Sequence, residues 1–130
     1  MTKPGGSMSL ILIVEDNEKN LKLVRDVLQV KGYRTLEAGT AEDGIRMAVD
    51  AKPDLILMDI HLPGMNGIEA RRLLRDDPAT AAIPVIAVTA SVMQQDRKKI
   101  TEAGFEAYVG KPINLQEFLA TVRTVLGNRQ

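Results

Sequence analysis

The sequence predicts an α/β fold: one doubly wound domain around a five-stranded parallel sheet. Three observations lead there. Short β-branched, apolar runs with the length and composition of buried strands recur along the chain. Between them lie longer stretches whose apolar residues fall at helical spacing. No repeat, linker or low-complexity segment interrupts the alternation, and 130 residues suffice for one domain with a real hydrophobic core.

Ser9 to Val14 reads as the first strand. Asp16 or Asn17 can cap the next segment, where Leu21, Val24, Val27 and Leu28 share a helical face and Gly32 ends the helix. Tyr33 to Ala38 alternates enough to be a second, more exposed strand. Thr40-Ala41-Glu42-Asp43 opens a second helix with Ile45, Met47, Ala48 and Val49 as its apolar content, and Pro53 breaks it before the strand Asp54 to Met58. Asn66 or Gly67 opens a third helix through about Arg75, with Ile68, Leu73 and Leu74 available to the core. Pro84 begins the fourth strand, Val85 to Val88, where its missing N–H does least harm. A fourth helix runs from Ser91 to Ala103 and stops at Gly104; Ala107-Tyr108-Val109 is a short fifth strand. Asn114-Leu115-Gln116-Glu117 is a capping-box-like opening for the last helix, which ends near Leu126-Gly127. Residues 1–8 read as a flexible tail, 9–127 as the domain and 128–130 as a C-terminal tail. Right-handed crossovers narrow the topology to strand order 2-1-3-4-5, the flavodoxin-like arrangement, with its crevice outside the carboxyl ends of strands 1 and 3.

Composition narrows the function. The 17 basic and 17 acidic side chains cancel, which argues against a dedicated nucleic-acid or anionic-membrane binder. No stretch approaches the roughly 18 apolar residues of a membrane span, and the N-terminus lacks the apolar core of a signal peptide. With no cysteine there is neither a disulfide framework nor a thiolate metal site, and the chain suits a reducing cytoplasm.

The residues at the strand ends carry the chemistry. Glu15 and Asp16 follow the first strand, Asp59 the third, Thr89 the fourth and Lys111 the fifth, whereas the second offers only Ala38, Gly39 and Thr40. Three carboxylates in one crevice repel, so either one stays protonated or a cation balances them. A hard divalent ion suits oxygen ligands, and Mg²⁺ is the natural choice where phosphate is handled. A hydroxyl and a mobile lysine suit phosphate oxygens, so the set favours phosphoryl transfer. Taken singly these residues have plainer uses: Asp59 as a turn acid, Glu15 and Asp16 as helix caps, Thr89 as a helix-start hydroxyl, Lys111 as a solvated charge.

The chain resembles a response-regulator receiver domain from Ser9 to Leu126. The resemblance rests on Val14-Glu15-Asp16-Asn17, Leu57-Met58-Asp59-Ile60-His61-Leu62-Pro63, Val88-Thr89-Ala90 and Tyr108-Val109-Gly110-Lys111-Pro112. The wording around Asp59 and Thr89 is most similar to single-domain receivers of the cell-division type. The resemblance implies that Asp59 is the phosphoacceptor. It implies that Asp16 holds Mg²⁺ directly (Mn²⁺ being the substitute), Glu15 through water, and His61 by its backbone carbonyl. Thr89, the Ala90 N–H and Lys111 would bind phosphoryl oxygens, Tyr108 would be a rotameric switch, and Lys111–Pro112 a cis peptide. The implied partners are a histidine kinase or histidine phosphotransferase and a downstream protein, the protein itself being a monomer or weak dimer and not an enzyme in the usual sense. Two other readings compete. An aspartyl phosphatase would want a second acid two residues after its nucleophile, where this chain has His61. An adaptor with the same fold would bind partners without phosphate control.

Overall fold

The computed structural model describes residues 9–90 and 94–127. Strands β1 (Leu10–Val14), β2 (Arg34–Ala38), β3 (Leu55–Asp59), β4 (Val85–Thr89) and β5 (Ala107–Gly110) alternate with helices α1 (Glu18–Val30), α2 (Ala41–Ala51), α3 (Gly67–Asp76), α4 (Gln94–Glu102) and α5 (Leu115–Gly127). All pairings are parallel, and the sheet order is β2-β1-β3-β4-β5, the predicted one.

The core lies in two layers because successive strand residues point to opposite faces. Leu12, Val14, Ile56, Met58, Val85 and Ala87 face α2, α3 and α4, meeting Ala48, Ala70, Leu74 and Ile100. Ile11, Ile13, Leu55, Leu57 and Ile86 face α1 and α5, meeting Val24, Leu28, Phe118 and Val122. β3 and β4 are buried along their whole length, as expected for strands covered on both faces. β2, at the sheet edge, is mostly half-exposed. Each fully buried Leu, Ile or Phe contributes about 1.5–3 kcal/mol relative to an exposed one, so these two layers dominate stability.

The helix starts resolve the alternatives left by sequence. Asn17 rather than Asp16 caps α1, its side chain accepting the Asn20 N–H at 3.1 Å. Asn66 caps α3 by accepting from Glu69 N at 2.9 Å, and Gly67 is the first helical residue. Asn114 accepts from Glu117 N at 3.1 Å ahead of α5. α2 ends on Lys52 at φ 48°, a left-handed conformation, and Pro53 prevents continuation.

Some expectations shift. β1, β2, β3 and β4 begin one residue later than read, at Leu10, Arg34, Leu55 and Val85, while Asp59, Thr89 and Gly110 are strand residues rather than followers of strands. Leu73 is 47% exposed and does not join the core. The buried stripe of α3 is Gly67, Ala70, Arg71 and Leu74, so Leu73 points outward and an arginine takes the place beside Leu74. The expected start of α4 at Ser91 and both tails lie outside the described residues. Among the described residues, no helix is long and apolar enough to cross a membrane.

Candidate functional site

Strand register assembles the site. Val14 pairs with Met58, Asp59 with Val88, and Thr89 with Gly110. The residues that end or follow these strands therefore lie side by side along one rim. Backbone bonds extend that rim beyond the ladders: Glu15 N donates to Ala38 O at 3.0 Å, Ile60 N to Val88 O at 3.0 Å and Lys111 N to Thr89 O at 2.9 Å.

Asp59, only 3% exposed, is at the centre. Its Oδ1 accepts the His61 backbone N–H at 2.9 Å, and its Oδ2 accepts from Lys111 Nζ at 3.1 Å. The same ammonium reaches Glu15 Oε1 at 3.0 Å, and Glu15 Oε2 accepts the Asn17 N–H at 3.1 Å. One cation thus bridges two buried carboxylates. Asp16 is exposed at the mouth of the crevice, and one oxygen from each of Glu15, Asp16 and Asp59 lies within 4.8 Å of the others. Three carboxylates converging in this way, two buried and one open to solvent, are the hard-oxygen donor set that Mg²⁺ prefers, so the residues present fit that ion.

The electrostatics reflect this crowding. Burial pushes the Glu15 carboxyl above its ordinary range, and the neighbouring Asp59 carboxylate adds to the rise; the Asn17 N–H and Lys111 oppose it without cancelling it. Burial disfavours the charged Lys111, but its bonds to Glu15 and Asp59 outweigh that, and its pKa is raised. The ammonium is therefore firmly held between the acids.

The other predicted residues surround this cluster. Thr89 is 1% exposed at the end of β4, and Ala90 follows it at the surface. The His61 side chain is exposed while its backbone lies against Asp59. Lys111–Pro112 is cis. Tyr108 is turned outward at 38% exposure, with the Arg97 guanidinium 5.6 Å from its ring centroid. A shallow cavity of about 430 Å³ beside it is lined by Arg97, Tyr108, Lys111, Asn114 and Glu117, among others.

Two participants escaped the reading of the sequence. The Asn17 N–H restrains Glu15 through the main chain and so leaves no side-chain signal. The direct link from Lys111 to Glu15 joins opposite ends of the chain, and only the strand order reveals it.

A doubly wound sheet with acids, a hydroxyl and a lysine on its carboxyl rim defines a class, and residues 11–123 match the response regulator receiver domain family. The chain belongs to that family, whose members are signalling domains of two-component systems. More particularly, it is 44% identical over 118 residues to the polar-differentiation response regulator DivK of Brucella anthropi, across 91% of this chain and 96% of that protein. Among solved structures it is similar to the receiver domain of a sensor histidine kinase of Pseudomonas aeruginosa, which has a magnesium ion coordinated in the active-site cleft. That likeness has TM-score 0.85 and 33% identity, covering 92% of this chain and 98% of that one. A CheY-like receiver protein of Methanospirillum hungatei is similar at TM-score 0.86 and 28% identity, over 94% and 96% of the two chains.

Proposed function

We propose that this protein is a phosphorylation-controlled signalling switch that accepts a phosphoryl group on Asp59. The observation that carries the reading is the near-complete burial of Asp59 in contact with Lys111 and beside Glu15 and Asp16. Glu15, Asp16, Asp59 and the His61 carbonyl would hold Mg²⁺, which supplies charge neutralisation between phosphate oxygens and the acids.

The donor is a phosphohistidine on a histidine kinase or phosphotransferase. An Asp59 carboxylate oxygen attacks phosphorus, the P–N bond breaks as the O–P bond forms, and the imidazole leaves with the bonding pair. Lys111 is already at Asp59 Oδ2, and the Thr89 hydroxyl with the Ala90 N–H completes the set of donors to the phosphoryl oxygens. Hydrolysis of the acyl phosphate restores the carboxylate. Phosphorylation adds roughly one negative charge, and drawing Thr89 toward it frees space for Tyr108 to turn inward. That movement gives up the Arg97 contact, about 0.5–1 kcal/mol at an exposed site, and reshapes the α4–β5–α5 surface for a downstream partner. Its similarity to DivK supports a role in polar differentiation and cell division, and its cysteine-free composition suits the cytoplasm.

Incubation with a phosphorylated histidine kinase and Mg²⁺ should give an acid-stable, base-labile label on the wild type and none on Asp59→Asn. Equal labelling of Asp59→Asn would refute the assignment. The adaptor reading predicts instead that partner affinity is the same with and without a phosphoryl mimic.

A further inference from the structure

The first residue of α3 approaches the back of the phosphoacceptor more closely than any side chain permits. A Cβ built on Gly67 would lie 2.6 Å from the Asp59 carbonyl oxygen and 2.9 Å from Ile60 Cα, with Met58 Cγ at 3.1 Å. Real Cβ atoms essentially never approach closer than 3.0 Å, and the two nearest obstacles are backbone, which cannot swing aside as a flexible side chain can. Gly67 is buried, and its backbone is not in the left-handed region. Its requirement is therefore for space and not for backbone freedom. Its N–H, one of the α3 amides that no helical carbonyl can satisfy, donates to Ile60 O at 3.1 Å. The helix start thus touches the peptide units on both sides of Ile60. On the other side of this short segment, His61 N holds Asp59 Oδ1.

We propose that Gly67 is a positioning residue for Asp59: by lacking a Cβ it lets α3 press directly on residues 59–60 and fixes where the carboxylate and the His61 amide stand. This rests on Asp59 being the phosphoacceptor. A Cβ at residue 67 has two ways out. Either α3 backs away, loosening the Ile60 contact, or the 59–61 segment shifts toward the crevice. Both move the Asp59 carboxylate relative to Lys111. Displacements of about an ångström at a reacting centre reduce rates by about a hundredfold.

The test compares Gly67→Ala with two variants that disturb the same helix elsewhere. Asn66→Ala removes the α3 cap, and Leu74→Ala opens a cavity two turns along, yet neither places an atom on Asp59. Two readouts are taken on protein whose folded fraction is known from circular dichroism. One is the His61 backbone amide resonance in metal-free protein, which reports its bond to Asp59. The other is the rate of labelling by acetyl phosphate with Mg²⁺ as a function of donor concentration. Gly67→Ala should move the His61 resonance and lower the saturating rate by at least about tenfold, with half-saturation little changed. The two control variants should lose stability but keep both readouts near wild type. If Gly67→Ala is largely unfolded in buffer, the same measurements are made with trimethylamine N-oxide, which favours the compact state. An unmoved His61 resonance, or a saturating rate within about twofold of wild type, would overturn the proposal. So would equal losses in the controls. If the wild type itself takes no label while His61 still responds to Gly67→Ala, the phosphoacceptor reading fails and the positioning of the segment stands.

Discussion

Replacing Lys111 by Met removes the cation between Glu15 and Asp59 while preserving most of the aliphatic stem. At an effective dielectric of about 20, each contact near 3 Å carries about 5 kcal/mol of gross Coulomb attraction, most of it offset by desolvation of the ions. The net loss has a ceiling that can be worked out. Once Lys111 is gone, the buried pair relieves itself by protonating Glu15, whose pKa already stands above its ordinary 4.5 because of burial and Asp59. Taking up that proton near pH 7 costs about 1.4 kcal/mol for each pH step above 4.5, at most about 3.5 kcal/mol in all, and less by what the wild type already pays for its own raised Glu15. The variant should therefore lose about 2–3 kcal/mol at neutral pH, not the sum of two ion pairs.

The sign of the pH dependence is fixed as well. A carboxyl whose folded pKa is raised contributes stability that is fully present below its unfolded value and is lost as pH rises through the folded one. Lys111 lowers the Glu15 pKa, so its removal pushes that pKa higher. The gap between wild type and variant should widen as pH rises through the wild-type Glu15 pKa, itself above 4.5, until Glu15 ionises in the variant as well. Near the acid end it should narrow to about 1 kcal/mol, the residual Lys111–Asp59 contact at a partly exposed lysine. Urea unfolding of both proteins from mildly acidic to mildly alkaline pH, with chelator present, measures this directly. A difference independent of pH, or one well above about 4 kcal/mol at neutrality, would refute the reasoning.

Other perturbations separate further contributions. The raised Lys111 pKa means its contribution is complete below about 10.5 and fades as pH rises through the folded value; this alkaline loss should be absent from Lys111→Met in the same unfolding series. Arg71 is 4% exposed, its Nε donates to Gly104 O at 3.1 Å, and its buried Nη1 has no hydrogen-bond partner among the described residues. Arg71→Met should consequently change stability by less than about 1 kcal/mol, whereas Arg71→Ala should lose about 2–4 kcal/mol; equal losses on urea titration would contradict this. Gly104 ends α4 at φ +93°, and a Cβ there would meet Arg75 Nη1 at 3.2 Å. Gly104→Ala should lower stability by about 1–2 kcal/mol, and a neutral result would remove the strain argument. Asn17→Ala should cost about 1 kcal/mol as a lost α1 cap. It should leave Asp59 labelling nearly intact, because the Asn17 backbone N–H, not its side chain, holds Glu15.

What the sequence determined on its own is everything carried by short-range pattern. The apolar run ending in Asp59 has the length and composition of a doubly covered strand, the pairs Asp16-Asn17 and Asn66-Gly67 and the residue Asn114 mark helix starts to within a residue, and alternation of the two periodicities leaves one topology. Given that topology, the strand-end residues Glu15, Asp59, Thr89 and Lys111 must share a rim. Tertiary structure decided what each one touches there. The Lys111–Asp59 bond spans 52 residues of sequence, and its existence depends on strand register to within one residue. Leu73 and Arg71 show the same limit from the opposite side. Both sit near the boundary of one helical stripe, and hydropathy assigns the inside to leucine. Two carbonyls at the end of α4, Gly104 O and Ala103 O, instead draw Arg71 and Arg75 across the interface, with Leu73 left in water. Composition and spacing describe how a residue behaves in its own segment; a buried polar group is placed by the partner that another segment brings to it.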